Sequence, residues 1–144
     1  MASSVEMLRA KSAYQIFLID DEQIVLDLYC SVLRNAGYRN VHAFSKAEDA
    51  IRMLRCLRPN LILTDIHMPD VSGNILTRLI REFNHLESIP IIAITADVRD
   101  VTASEILQQG ADAVLLKPLT PDELVGQVAA ARAREATAES QSYR

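Results

Sequence analysis

No apolar run in this sequence is longer than a strand, which excludes a transmembrane helix and with it any expected membrane attachment. Basic clusters are missing as well. The formal net charge is −4 and no Lys/Arg run appears, so a phosphate-backbone binder is not expected and nucleic acid is excluded as a partner. The opening residues 1–13, MASSVEMLRAKSA, lack the continuous apolar segment of a secretory signal. Cysteine is scarce: Cys30 and Cys56 stand far apart inside helical patterns and read as reduced thiols in or near the core, not a disulfide or a metal pair. Only four glycines occur in 144 residues, and neither a Gly/Ser linker nor an internal repeat interrupts the chain. These absences leave a single cytoplasmic domain, long enough to enclose a core.

Strand-like and helix-like patterns alternate five times. Short apolar runs at 14–19, 40–44, 60–64, 90–95 and 113–116 read as strands, and those at 60–64 and 90–95 are continuously apolar, as in a sheet covered on both faces. Between them lie helical patterns. Val25, Leu28, Val32 and Ala36 give the first an inner stripe that Gly37 terminates; Ser45 and Glu48 form a capping box ahead of Ala47, Ala50, Ile51 and Leu54. Gly73 marks a tight turn before a stripe of Ile75, Leu76, Leu79, Ile80 and Phe83. The segment 98–109 has a thin stripe, Val101 and Ile106. Thr120-Pro121-Asp122-Glu123 opens the last helix, whose inner face is Leu124, Val125 and Val128.

Five βα units in series imply an α/β fold, a doubly wound five-stranded parallel sheet. The expected organisation is an N-terminal extension at 1–13, a domain at 14–134 and, at 135–144, a tail into which the last helix frays.

Ligands of such sheets bind at the carboxyl ends of the strands. Here strand one ends in Asp20-Asp21, strand three in Asp65, strand four in Thr95 and strand five in Lys117. With the flavodoxin-like strand order 2-1-3-4-5, three carboxylates, a hydroxyl and an ammonium share one rim. Clustered carboxylates raise one another's pKa unless positive charge intervenes, and a hard divalent cation together with Lys117 supplies it. Asp65 at its strand tip is then a nucleophile able to carry a phosphoryl group. Each residue alone has a plainer role: Asp20-Asp21 could cap the first helix, and Thr95 and Lys117 could be an ordinary strand-end threonine and a solvated charge. His42 and His85 read as structural or surface residues.

Four motifs, LIDDE (18–22), LILTDIHMPDVSG (61–73), PIIAITA (90–96) and LLKPL (115–119), resemble those of the response regulator receiver domain of two-component signalling, of the chemotaxis-type single-domain fold, over residues 15–132. The resemblance implies that Asp65 accepts a phosphoryl group from a sensor histidine kinase or a histidine phosphotransfer protein. It implies that Asp20, Asp21, Asp65 and the backbone carbonyl of His67 hold Mg²⁺ (or Mn²⁺), that Thr95 and Lys117 bind phosphoryl oxygens, and that the Lys117–Pro118 bond is cis. Catalysis would be limited to the domain's own phosphorylation and dephosphorylation. Three departures from the common pattern stand out. His67 and Asp97 are candidate modulators of phosphoryl lifetime. Val114 replaces the ring many receivers carry on the fifth strand, which predicts a muted switch across the fourth-helix/fifth-strand/fifth-helix face, also the candidate homodimer surface. With only a short tail after residue 133, the expected output is binding to a downstream protein. The alternatives are a receiver module of a longer regulator or hybrid kinase, an unmodified docking module, and an aspartyl-phosphate hydrolase. The last fits poorly, since His67 occupies the place of that class's second acid.

Overall fold

The computed structural model describes residues 3–71, 73–96 and 100–142. Five strands, β1 (Gln15–Ile19), β2 (Asn40–Phe44), β3 (Leu61–Asp65), β4 (Ile91–Thr95) and β5 (Ala113–Leu116), pair in parallel in the order β2-β1-β3-β4-β5, as the sequence predicts. The helices are α1 (Ser4–Ala13), α2 (Gln23–Asn35), α3 (Ala47–Leu54), α4 (Gly73–Glu82), α5 (Asp100–Gln108) and α6 (Pro121–Ser142).

Successive strand residues point to opposite faces, and both faces are apolar. Ile16, Leu18, Leu61, Leu63, Ile92 and Ile94 meet Leu26 and Leu33 of α2 and Leu124 and Val128 of α6. Phe17, Ile19, Ile62, Ile91 and Ala93 meet Ala50 and Leu54 of α3, Leu76 and Ile80 of α4, and Ile106 of α5. Each large aliphatic chain so enclosed contributes about 1.5–3 kcal/mol relative to exposure. Gly37 and Gly110 end α2 and α5 with φ of 103° and 115°, the left-handed stop that glycine takes without strain.

Several local expectations need correction. The buried stripe of α2 is Leu26, Tyr29, Cys30 and Leu33; Leu28 is 53% exposed, and Val25 and Val32 lie at the margin. Both stripes have helical period, so periodicity could not choose the phase, and the bulkier Tyr29–Leu33 pair takes the core. Ile75 and Leu79 of α4 are likewise exposed beside buried Leu76 and Ile80, and Gly73 is the first residue of the helix itself. The Ser45–Glu48 capping box does not form. α3 starts one residue later than it requires, with Lys46 as an N-cap lacking any side-chain cap, and the Glu48 N–H donates instead to Asp70 Oδ2 at 3.3 Å. The Thr120–Glu123 box does form, through bonds of 3.1 and 3.4 Å.

Within the N-terminal extension, residues 4–13 form a helix. A capping box opens it, Ser3 Oγ accepting from Glu6 N–H and Glu6 from Ser3 N–H, and Lys11 fastens it by donating to the Ala36 carbonyl at 3.1 Å. The S-x-x-E spacing was available as a signal. α6 runs unbroken to Ser142, and Asn60 Nδ2, at the entrance to β3, donates to Glu135 Oε1 at 2.9 Å. Cys30 is buried, which pushes its thiol pKa up, Cys56 is exposed, and both are free.

Candidate functional site

Parallel register carries the polar strand ends to one rim. Asp65 pairs with Ile94, one residue before Thr95, and the Lys117 N–H donates to the Thr95 carbonyl at 2.8 Å. Asp20 follows β1 directly, its own N–H donating to the Phe44 carbonyl at 3.1 Å. Asp20, Asp65 and Thr95 are all buried, at 3%, 5% and 1% exposure, while Asp21 faces solvent.

Lys117 Nζ stands 2.8 Å from Asp20 Oδ2 and 3.4 Å from Asp65 Oδ2, so one ammonium bridges two buried carboxylates. Their remaining oxygens are held by backbone: Asp65 Oδ1 accepts from His67 N–H at 3.3 Å, and Asp20 Oδ1 from Glu22 N–H at 2.9 Å. Asp20 therefore serves the start of α2 and the pocket together. Asp21 completes the group: one oxygen from each of Asp20, Asp21 and Asp65 lies within 4.8 Å of the others.

Burial pushes the Asp65 carboxyl above its usual 3.8; Lys117 draws it back, Asp20 raises it further, and the His67 N–H lowers it. Burial pulls the Lys117 ammonium down, but its hydrogen bond to Asp20 and the charge of Asp65 outweigh that and leave it above its usual 10.5. Three carboxylates against one ammonium leave the pocket anionic. A set of hard oxygen donors around surplus negative charge fits a hard divalent cation.

The other predicted residues fall as follows. The Lys117–Pro118 bond is cis. His67 is exposed, and its bond to Asp65 runs through the backbone N–H. Val114 is half-buried on β5, packed against the core on the α3–α4–α5 side. Asp97 lies outside the described residues. Tyr29, which sequence reasoning overlooked, is buried on α2 against Leu119; burial raises its pKa, and the charges of Lys117, Asp20 and Asp65 all reach it. Only the correct phase of the α2 stripe would have revealed it. Among the described residues no helix is long and apolar enough to cross a membrane.

Known proteins resemble this chain. The family profile of the response regulator receiver domain matches residues 16–129. The transcriptional regulatory protein YvrH of Bacillus subtilis is 34% identical over 115 residues, 80% of this chain but 47% of that protein, so the chain spans about half of YvrH. The polar-differentiation response regulator DivK of Brucella anthropi is 30% identical over 105 residues, 73% of this chain and 85% of DivK. Among solved structures, the receiver domain of the sensor histidine kinase PA1611 of Pseudomonas aeruginosa, described with a magnesium ion coordinated in its active-site cleft, superposes with a TM-score of 0.76 at 29% identity, over 83% of this chain and 98% of that one.

Proposed function

Because the chain belongs to the response regulator receiver domain family, we propose that it takes a phosphoryl group onto Asp65 and uses the modified state to change which proteins it binds. The bridging of Asp20 and Asp65 by the Lys117 ammonium carries this reading, because it places a cation beside the carboxylate at the tip of β3, the nucleophile of this proposal.

In the transfer, an Asp65 carboxylate oxygen attacks the phosphorus of a donor phosphohistidine. The P–N bond breaks, its electron pair stays on the imidazole, which takes up a proton, and an acyl phosphate forms. Lys117 exchanges its contact with Asp65 for one with a phosphoryl oxygen, and Thr95 offers its hydroxyl to another. Asp20, Asp21, Asp65 and the His67 carbonyl would hold Mg²⁺ or Mn²⁺. Bound there, the cation neutralises charge on the transferring group, the main demand of phosphoryl transfer. The added phosphate brings roughly −1.5 to −2 of charge to a buried rim.

The donor is a sensor histidine kinase or a histidine phosphotransfer protein, and the recipient of the signal is another protein. The working unit is residues 14–134, flanked by an extension at 1–13 and a tail at 135–144, located in the cytoplasm, and its chemistry is confined to its own phosphorylation and dephosphorylation. The partial span of YvrH supports a second setting, as the receiver portion of a longer regulator. His67 and Asp97 modulate phosphoryl lifetime. His67→Ala and Asp97→Ala are each expected to change the dephosphorylation rate several-fold, and rates equal to wild type would remove both from that role.

The direct test is incubation with acetyl phosphate and Mg²⁺ followed by intact mass measurement. One stable phosphate, absent in Asp65→Asn, is the expected result. No adduct on the wild type, or continuous turnover of phosphomonoesters, would overturn the proposal, the second in favour of an aspartyl-phosphate hydrolase.

A further inference from the structure

The loop that follows Asp65 is tethered at three places before Val71 packs against the core. The Ile66 N–H extends the sheet ladder to the Ile94 carbonyl at 3.1 Å, and the Met68 side chain is buried in the core beneath α3 and α4. The third tether is Asp70, whose Oδ2 accepts the Glu48 N–H at 3.3 Å. That N–H belongs to the first turn of α3, a helix whose N-cap, Lys46, has no side-chain bond to offer. Asp70 thus supplies from 22 residues away the acceptor that local sequence fails to provide. A carboxylate at this end of a helix is also favoured by the helix dipole.

We propose that Asp70 is a positioning residue for the cation site: by capping α3 it fixes the outer end of the loop that carries the His67 carbonyl. The proposal rests on the cation reading given above. His67 is exposed, so its side chain gives the loop no anchor in the core. Between the fixed points at Met68 and Asp70 lies Pro69, whose ring locks its own φ, so the third tether limits how the loop swings as a unit. α3 is itself immobilised by Ala47, Ala50 and Leu54, all fully buried, which makes it a firm post for the loop. Asp70 ligates nothing in this account; it acts through the backbone.

The test uses three forms of the whole chain: wild type, Asp70→Ala and Asp70→Asn. Mg²⁺ affinity is read by amide chemical-shift titration, and the Glu48 amide is followed in metal-free protein. Asp70 is exposed, so all three forms should fold, and thermal melts check this. Asp70→Ala is expected to weaken Mg²⁺ binding about tenfold, the low end of what losing an outer-shell partner costs, and to shift the Glu48 amide before any Mg²⁺ is added. Asp70→Asn keeps an oxygen acceptor that caps as well as aspartate, so it should stay within about twofold of wild type. Asn behaving like Ala would mean that Asp70 acts by charge alone and would overturn the inference, as would an unchanged affinity in Asp70→Ala. A wild type that binds no Mg²⁺ would instead overturn the underlying cation reading.

Discussion

One ammonium, Lys117, offsets two buried carboxylates, and removing it should show at once in the metal-free protein. Lys117→Met leaves Asp20 and Asp65 facing each other. The expected loss is about 2 kcal/mol, less than for an orphaned charge that cannot protonate, because either carboxylate can take up a proton. Chemical denaturation without and with Mg²⁺ checks this, since the cation should recover part of the loss. Asp65→Asn should do the reverse. Its folded pKa lies above 3.8, so Asp65 contributes stability that is fully present below 3.8 and lost as pH rises through the raised value. At neutral pH the carboxylate therefore opposes folding. The asparagine variant should melt a few degrees higher than wild type there, with the advantage vanishing below pH 3.8. For Lys117 the contribution is complete below 10.5 and disappears as pH rises through its raised pKa, so alkaline weakening belongs to this residue.

Among the elements, the turns at the amino edge of the sheet depend on Arg81. Its guanidinium donates to the carbonyls of Leu86, Glu87, Ile89 and Gly110 and to Asp112 Oδ2, which also accepts the Ile91 N–H. One side chain at the end of α4 thereby fixes where β4 begins and where α5 hands over to β5. A Cβ on Gly110 would come within 2.9 Å of Arg81 Cγ at a backbone φ of 115°. Gly110→Ala should therefore cost about 2 kcal/mol in denaturant unfolding, within the range for a strained left-handed residue. Two residues beyond Asp112, β5 carries Val114 in place of a ring. Amide spectra with and without beryllofluoride should change little across α5, β5 and α6, and large changes there would contradict a muted switch.

At the scale of the whole molecule, Mg²⁺ that binds only the folded chain should raise its stability by about 2.7 kcal/mol at one hundred times the dissociation constant, a shift that scanning calorimetry in Asp20→Asn should find reduced. The sheet and its rim were largely legible because strand runs such as LILTD and IIAIT are apolar on both faces and end in a polar residue, a pattern that survives any error in helix phase. What escaped notice depends on contacts distant in sequence. The α2 stripe was misphased because two apolar rows run along that helix and only packing selects Tyr29 and Leu33 over Leu28. Asp70 as the cap of α3, and Arg81 as a hub of carbonyls, leave no local trace at all. α6 adds a mechanical consequence. Its 22 residues form a rod about 33 Å long at 1.5 Å per residue, capped by Thr120 beside the rim and latched at Glu135 to Asn60 on the far edge of the sheet. A tilt at its rim end, however small, would be levered to that latch, so the Asn60–Glu135 bond on the underside is where movement of the rod would register.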